Sequence, residues 1–147
     1  MIFASEDVGN ADPRALSVAV DADQAFRRMG LPEGVYPLAH ACLYLASCPK
    51  SNAVKRAIGA TRDAIADRGA LPVPMKLRNA VTKLMKNEGY GEGYRYAPDY
   101  ADSHVPGETY LPDELRGRRF YEPTDQGLEK QIAERLERLR KAGDAQG

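Results

Sequence analysis

Tyr36-Pro-Leu-Ala-His-Ala-Cys-Leu-Tyr-Leu-Ala46 is apolar on nearly every side of a helical wheel. A helix of that kind has to be buried, with the other elements packed around it. Pro37 suits its first turn, where the missing N–H would lack an intrahelical partner, and Ser47, Cys48 and Pro49 stop it after about three turns.

Upstream, Asp12-Pro13 marks a helix start, the carboxylate capping free N–H groups. Ala15, Val18, Ala19, Ala22, Ala25, Phe26 and Met29 then form one apolar stripe, ended by Gly30. The Pro32-Glu33-Gly34 turn is short enough to make this helix and the apolar one antiparallel neighbours. Residues 1–9 resemble the last turns of a truncated helix closed by Gly9, as in a fragment of a longer protein.

Downstream, Ser51 caps a third long helix whose Val54, Ile58, Thr61 and Ile65 make a stripe and whose end is Gly69. Leu71-Pro-Val-Pro74 is extended. Leu77, Ala80, Val81, Leu84 and Met85 predict one or two short helices between Met75 and Lys86, closed by Gly89. Residues 89–123 change character: five glycines and four prolines interleave with Tyr90, Tyr94, Tyr96, Tyr100, Tyr110, Phe120 and Tyr121. This reads as a long irregular segment pinned to the helical body by its aromatic rings, with a brief β-pairing near Tyr94–Tyr96 or Arg119–Tyr121.

Thr124 or Asp125 caps a last helix with Leu128, Ile132, Leu136 and Leu139 on one face, and with Glu134/Arg138 and Glu137/Lys141 in the favourable order. That face covers the core of a monomer or meets a neighbouring subunit. Residues 142–147 read as a flexible tail. The fold class is all-α, one helical bundle over residues 1–147 with an aromatic-rich irregular segment before its last helix.

Composition bounds the function. The 147 residues suit one domain with a real core, and 21 basic residues balance 21 acidic ones, eight of each sign up to Ala70 and 13 of each beyond. A binder of bare phosphate usually carries a basic excess. Cys42 and Cys48 have neither a signal peptide upstream nor the spacing of a disulfide framework or zinc site, which fits free thiols in the cytoplasm. No apolar run approaches the roughly 20 residues of a membrane span, so a soluble chain without a membrane partner is expected.

Few residues suggest chemistry. His40 on the apolar helix and His104 in the long segment read as a core and a surface histidine rather than a metal pair. Cys42 lacks an activating base and reads as a structural thiol. Gly89-Tyr-Gly-Glu-Gly-Tyr94 lacks the Gly-Lys-Ser/Thr ending and the strand–helix frame of a phosphate-binding loop. Glu6 and Asp7 are candidates for a contact with another domain or subunit. Arg116, Arg118 and Arg119, beside Phe120 and Tyr121, form the densest basic cluster. With Lys83 and Lys86 they are the candidates for a DNA or partner contact, against neutralisation by Asp113, Glu114 and Glu122. An independent enzyme working through Glu6, Asp7 or His40 would require a concave pocket around them.

The order of segments carries a resemblance. Ala4-Ser-Glu-Asp-Val-Gly-Asn-Ala-Asp-Pro-Arg-Ala15, Leu38-Ala39 with Tyr44-Leu-Ala46, and Pro49-Lys-Ser-Asn52 come first. Val73-Pro74, Leu77-Arg-Asn-Ala80, Gly93-Tyr-Arg-Tyr96, Tyr110-Leu-Pro112 and Arg119-Phe-Tyr-Glu-Pro123 follow. Together they resemble the C-terminal domain of the replication-associated recombination protein A (RarA, also MgsA) family.

The resemblance implies a fragment of a clamp-loader-like AAA+ ATPase acting in DNA replication, recombination and repair at stalled forks, akin to Werner helicase-interacting protein. It implies a collar-like oligomerisation domain, a homotetramer, ATPase domains upstream, and DNA and single-stranded DNA-binding protein as partners of the parent. Localisation would be cytoplasmic in a bacterium, nucleoid-associated through the parent. ATP and magnesium belong to the parent; no catalytic, cofactor-binding or metal-binding residue is implied within this chain. Its expected role is non-catalytic oligomerisation, the alternative being DNA or partner binding through Arg116–Tyr121. Met85-Lys-Asn-Glu88 before Gly89 is the departure from the family pattern.

Overall fold

A computed structural model describes residues 1–144, and these are helical with no strand among them. Five α-helices form the frame: α1 (Arg14–Met29), α2 (Val35–Ser47), α3 (Ala53–Arg68), α4 (Lys83–Asn87) and α5 (Glu129–Asp144). The chain divides into two units, residues 1–63 with 120–134, and residues 64–119 with those from 135 onward. The division falls inside α3 and inside α5.

In the first unit, a π-helical turn (Ala4–Val8) is closed by Gly9 at φ +52° and followed by a 3-10 turn (Gly9–Ala11). α1 and α2 pack as the expected hairpin, α1 closing on Gly30 with its N–H bonded to Phe26 O at 2.8 Å. At the far end of α2, Lys50 Nζ donates to the carbonyls of Leu45, Ala46 and Cys48, the usual cationic answer to open carbonyls at a helix C-terminus. The core beneath is made of small residues: Ala4, Val8 and Ala15 are buried, with Ala19, Tyr44, Leu45 and Cys48 packed against them. Alanines let backbones approach closely but bury little area each.

Residues 120–134 return to this unit and are stitched to its beginning. Leu128 N–H donates to Ala11 O at 2.9 Å. Beside that bond Gly127, at φ +53°, has no room for a Cβ, which would collide with Ala11 O.

The second unit holds the irregular chain. A 3-10 turn at Met75–Leu77 and α4, capped by Thr82 Oγ1 on Met85 N–H (3.2 Å), are the short helices expected between Met75 and Lys86, with a non-helical stretch between them and α4 running on to Asn87. Further 3-10 turns follow at Ala97–Asp99, Ala101–Ser103 and Asp113–Leu115. Val105 is buried, and Glu108 accepts from Lys76 and from Arg95 (3.0 Å), which pin the segment electrostatically.

Several expectations are corrected. No β-pairing forms at Tyr94–Tyr96 or Arg119–Tyr121. Tyr94, Tyr96, Tyr100 and Tyr110 are exposed rather than anchored, whereas Tyr90 lies under the Arg78 guanidinium (5.5 Å to the ring centre) and Tyr121 is half-buried. On α3 the covered positions are Ala53, Ala57, Ala60 and Ala64 together with Val54 of the expected stripe, while Ile58, Thr61 and Ile65 are exposed. The alanine face allows the closer approach, so it wins over the larger but wider isoleucine stripe. The last helix begins at Glu129, not after Thr124 or Asp125, and runs to Asp144, so the expected tail is helical over 142–144. Residues 145–147 lie outside the described residues.

Candidate functional site

The apolar helix is the largest correction, because most of α2 is uncovered in the single chain. Its inner side is Ala41, buried, with Tyr44, Leu45 and Cys48 half-buried. Tyr44 fixes the helix's rotation: its hydroxyl donates to Asp12 Oδ2 at 2.7 Å, and Arg14 grips the same carboxylate through Nε (2.9 Å) and Nη2 (3.0 Å). Asp12 also accepts the Arg14 backbone N–H (3.2 Å), so the expected helix-start role is joined to a tie between α1 and α2. These bonds, that of the Arg14 side chain first and that of Tyr44 after it, hold the Asp12 carboxyl well below the usual range against the opposing effect of burial.

With Ala41 and Tyr44 turned inward, helical geometry turns Tyr36, Ala39, Leu43 and Ala46 outward. Tyr36 is 74% exposed and Leu43 69%. Val35, Leu38 and Cys42 flank them, also exposed. No residue of α2 carries a permanent charge. His40 is exposed on this helix rather than a core histidine, and Cys42 is an accessible thiol rather than a buried one. Among the described residues the fully buried apolar side chains are alanines, Val8 and Val105, so the main apolar resource lies on the outside.

A second feature had no sequence signal. Glu129, at the first turn of α5, is fully buried and its carboxylate is met only by donors: Ser51 Oγ at 2.6 Å, Thr124 N at 2.8 Å, Thr124 Oγ1 at 2.7 Å and Tyr121 OH at 2.9 Å. Asn10 Nδ2 donates in turn to Tyr121 OH at 3.0 Å. Burial raises the Glu129 pKa, but the bonds from Ser51, Thr124 and Tyr121 outweigh it and leave the group below its ordinary value. Ser51 Oγ also accepts Ala53 N–H at the start of α3 (3.2 Å). This node locks the returning segment onto the start of the chain; Ser51 and Thr124 also line an open cavity with Phe3, Asp7, Lys50 and Asn52, whereas the Glu129 carboxylate itself is buried behind them.

The other candidates are dispersed. Glu6 pairs with Lys55 at 2.6 Å and Asp7 is exposed, its carbonyl accepting Ser51 N–H (2.8 Å). Lys83 and Lys86 are exposed on α4 of the second unit. Arg116, Arg118 and Arg119 are exposed beyond the Asp113–Leu115 turn, with Arg116 paired to Asp113 at 2.8 Å. His104 is half-buried. Among the described residues no group of three or more His, Cys, Asp or Glu is placed to hold a metal ion, and no helix is long and apolar enough to cross a membrane.

The described residues thus form an all-helical chain with one uncovered apolar helix face. The chain belongs to the MgsA AAA+ ATPase C-terminal family, whose family model matches residues 1–140. It is 50% identical over 142 residues to replication-associated recombination protein A of Coxiella burnetii, covering 97% of this chain and 32% of that protein. To the protein of the same name from Escherichia coli K12 it is 51% identical over 136 residues, 92% of this chain and 30% of the relative. It also matches ATPase WRNIP1 of Dictyostelium discoideum at 39% identity over 120 residues, 82% of this chain and 14% of that one. The chain thus spans about a third or less of the length of these relatives.

Proposed function

We infer that this domain is a non-catalytic self-association module, which gathers copies of its parent ATPase through the outer face of α2. One observation carries the reading: an uncharged helix, Val35–Ser47, exposes Tyr36 and Leu43 almost fully while its rotation is fixed from within by Tyr44 and Asp12. A second copy is a fitting cover, because a face without charge meets itself at no electrostatic cost. Four copies is the number implied by the family resemblance. In this reading ATP and magnesium are bound by the parent's ATPase region, and DNA at replication forks and single-stranded DNA-binding protein are partners of the assembled parent, as the family resemblance implies; the relatives' names say only replication-associated recombination. The exposed Lys83, Lys86, Arg116, Arg118 and Arg119 serve at most as an auxiliary contact.

Thiol alkylation tests the reading directly. Cys42 lies on the proposed face and Cys48 on the inner side, as an internal reference. The Cys42 rate should fall as protein concentration rises and recover in Leu43→Asp. A Cys42 rate independent of concentration, in samples shown to be assembled, would place the interface elsewhere.

A further inference from the structure

On the first unit, away from α2, an open groove of about 690 Å³ runs between the N-terminal turn and α3. Its apolar lining is Met1, Ile2, Val54 and Ile58, and Ser5, Arg62 and the Glu6–Lys55 ion pair also line it. Ile2 is 78% exposed and Ile58 48%. Ile58 belongs to the part of the predicted α3 stripe that the fold leaves uncovered, while Val54 beside it is half-buried.

Gly59 lies in the same groove, in the middle of α3. A glycine there weakens the helix relative to alanine and leaves the helix surface low at that point. Within this chain nothing approaches: a Cβ on Gly59 would meet no atom within 4 Å, and the residue has no positive φ to explain it. The glycine therefore leaves open space on the groove side of α3.

The geometry points to the parent's own preceding ATPase region as the occupant, seating an apolar segment along Ile2, Val54 and Ile58 with its backbone close to Gly59. The family is a C-terminal one and the relatives are about three times longer than the matched stretch, so in them most of the chain arrives at the position of Met1, which is itself groove wall. A segment tethered at the rim meets the groove at an effective concentration on the order of millimolar, which no free partner matches. Self-association through α2 is not required for this inference. Its consequence is that α3 receives the ATPase region on the groove side while α2 remains available to other copies.

The test uses the full-length parent with Ile58→Cys, compared with Ile65→Cys on the same helix, which is of similar exposure (57%) and outside the groove. A groove seated nine-tenths of the time slows maleimide labelling at position 58 about tenfold relative to position 65. Gly59→Leu, which fills the groove from within, should return the two rates to within about twofold. A photoactivatable reagent on the introduced thiol, in a mixture of light and heavy isotope-labelled protein, then identifies the occupant. Crosslinks to upstream peptides of the same chain support the inference. Crosslinks between light and heavy chains would assign the groove to a second copy and overturn it, as would equal labelling at positions 58 and 65. Neither result bears on the α2 face, which is read by Cys42.

Discussion

Glu129→Ala should be the most damaging single substitution in the domain. The carboxylate is fully buried and accepts four hydrogen bonds, from Ser51, Tyr121 and twice from Thr124. Removing it strands those donors, at about 1–3 kcal/mol for each left unsatisfied, so a loss of about 3–5 kcal/mol is expected. That is a large share of the roughly 5–15 kcal/mol available to a domain. With a urea slope of about 1.5–2 kcal/mol/M, the midpoint should fall by about 2 M. Glu129→Gln keeps the shape, and its carbonyl can take the Ser51 and Thr124 donors, leaving only the side facing Tyr121 altered; about 1–2 kcal/mol is expected. The assay is urea unfolding followed by far-UV circular dichroism, at one protein concentration because association adds stability by mass action. A Glu129→Ala loss below about 1 kcal/mol would refute the reasoning, since buried donors would then have found other partners at little cost.

Three further outcomes follow from the same coordinates. Leu43→Asp should weaken self-association by about 2–4 kcal/mol per interface, roughly 30- to 1000-fold, by losing a buried leucine and burying a carboxylate, and sedimentation equilibrium reads it. Two glycines should respond in opposite directions in thermal unfolding of the isolated chain. Gly59→Ala, with open space around it, gains about 0.5–1 kcal/mol, whereas Gly127→Ala loses about 1–3 kcal/mol because φ is +53° and Ala11 O blocks the new methyl. Acid should destabilise the domain: Glu129 and Glu108 have folded-state pKa values below their ordinary 4.5, Glu108 chiefly through its bond from Lys76, so their contribution is complete above pH 4.5 and is lost as pH falls through the folded values. Urea midpoints at pH 3.5 and 7 test the sign, and Glu129→Gln should flatten the slope.

The order of the long helices and the ends of the first three were legible because local chemistry decides them. Gly30 and Gly69 stop α1 and α3 whatever lies around them, and Pro49 forbids a longer α2. Which face is covered was less legible, since apolar patterning identifies a face suited to burial and not its partner. On α3 the isoleucine stripe lost to alanines that permit closer approach. On α2 every side is apolar, so the pattern could not choose, and the choice is made by Tyr44 reaching Asp12, 32 residues earlier. Glu129 was hidden for a related reason: within Gly127-Leu-Glu-Lys130 it looks like an ordinary exposed helix acid, and its donors come from positions 51, 121 and 124. Gly59 did have a visible signal, a glycine inside a helical pattern, whose meaning emerged only when its surroundings proved empty.

The central claim is that the outer face of α2 joins copies of this domain. The direct measurement is the mass of the chain by light scattering after size exclusion, across a wide range of concentrations, beside Leu43→Asp. Multiple copies in the unsubstituted chain, reduced to single chains by Leu43→Asp with helical content unchanged, is the predicted result. A single-chain mass at every concentration up to millimolar, or an assembly unaffected by Leu43→Asp, would contradict it.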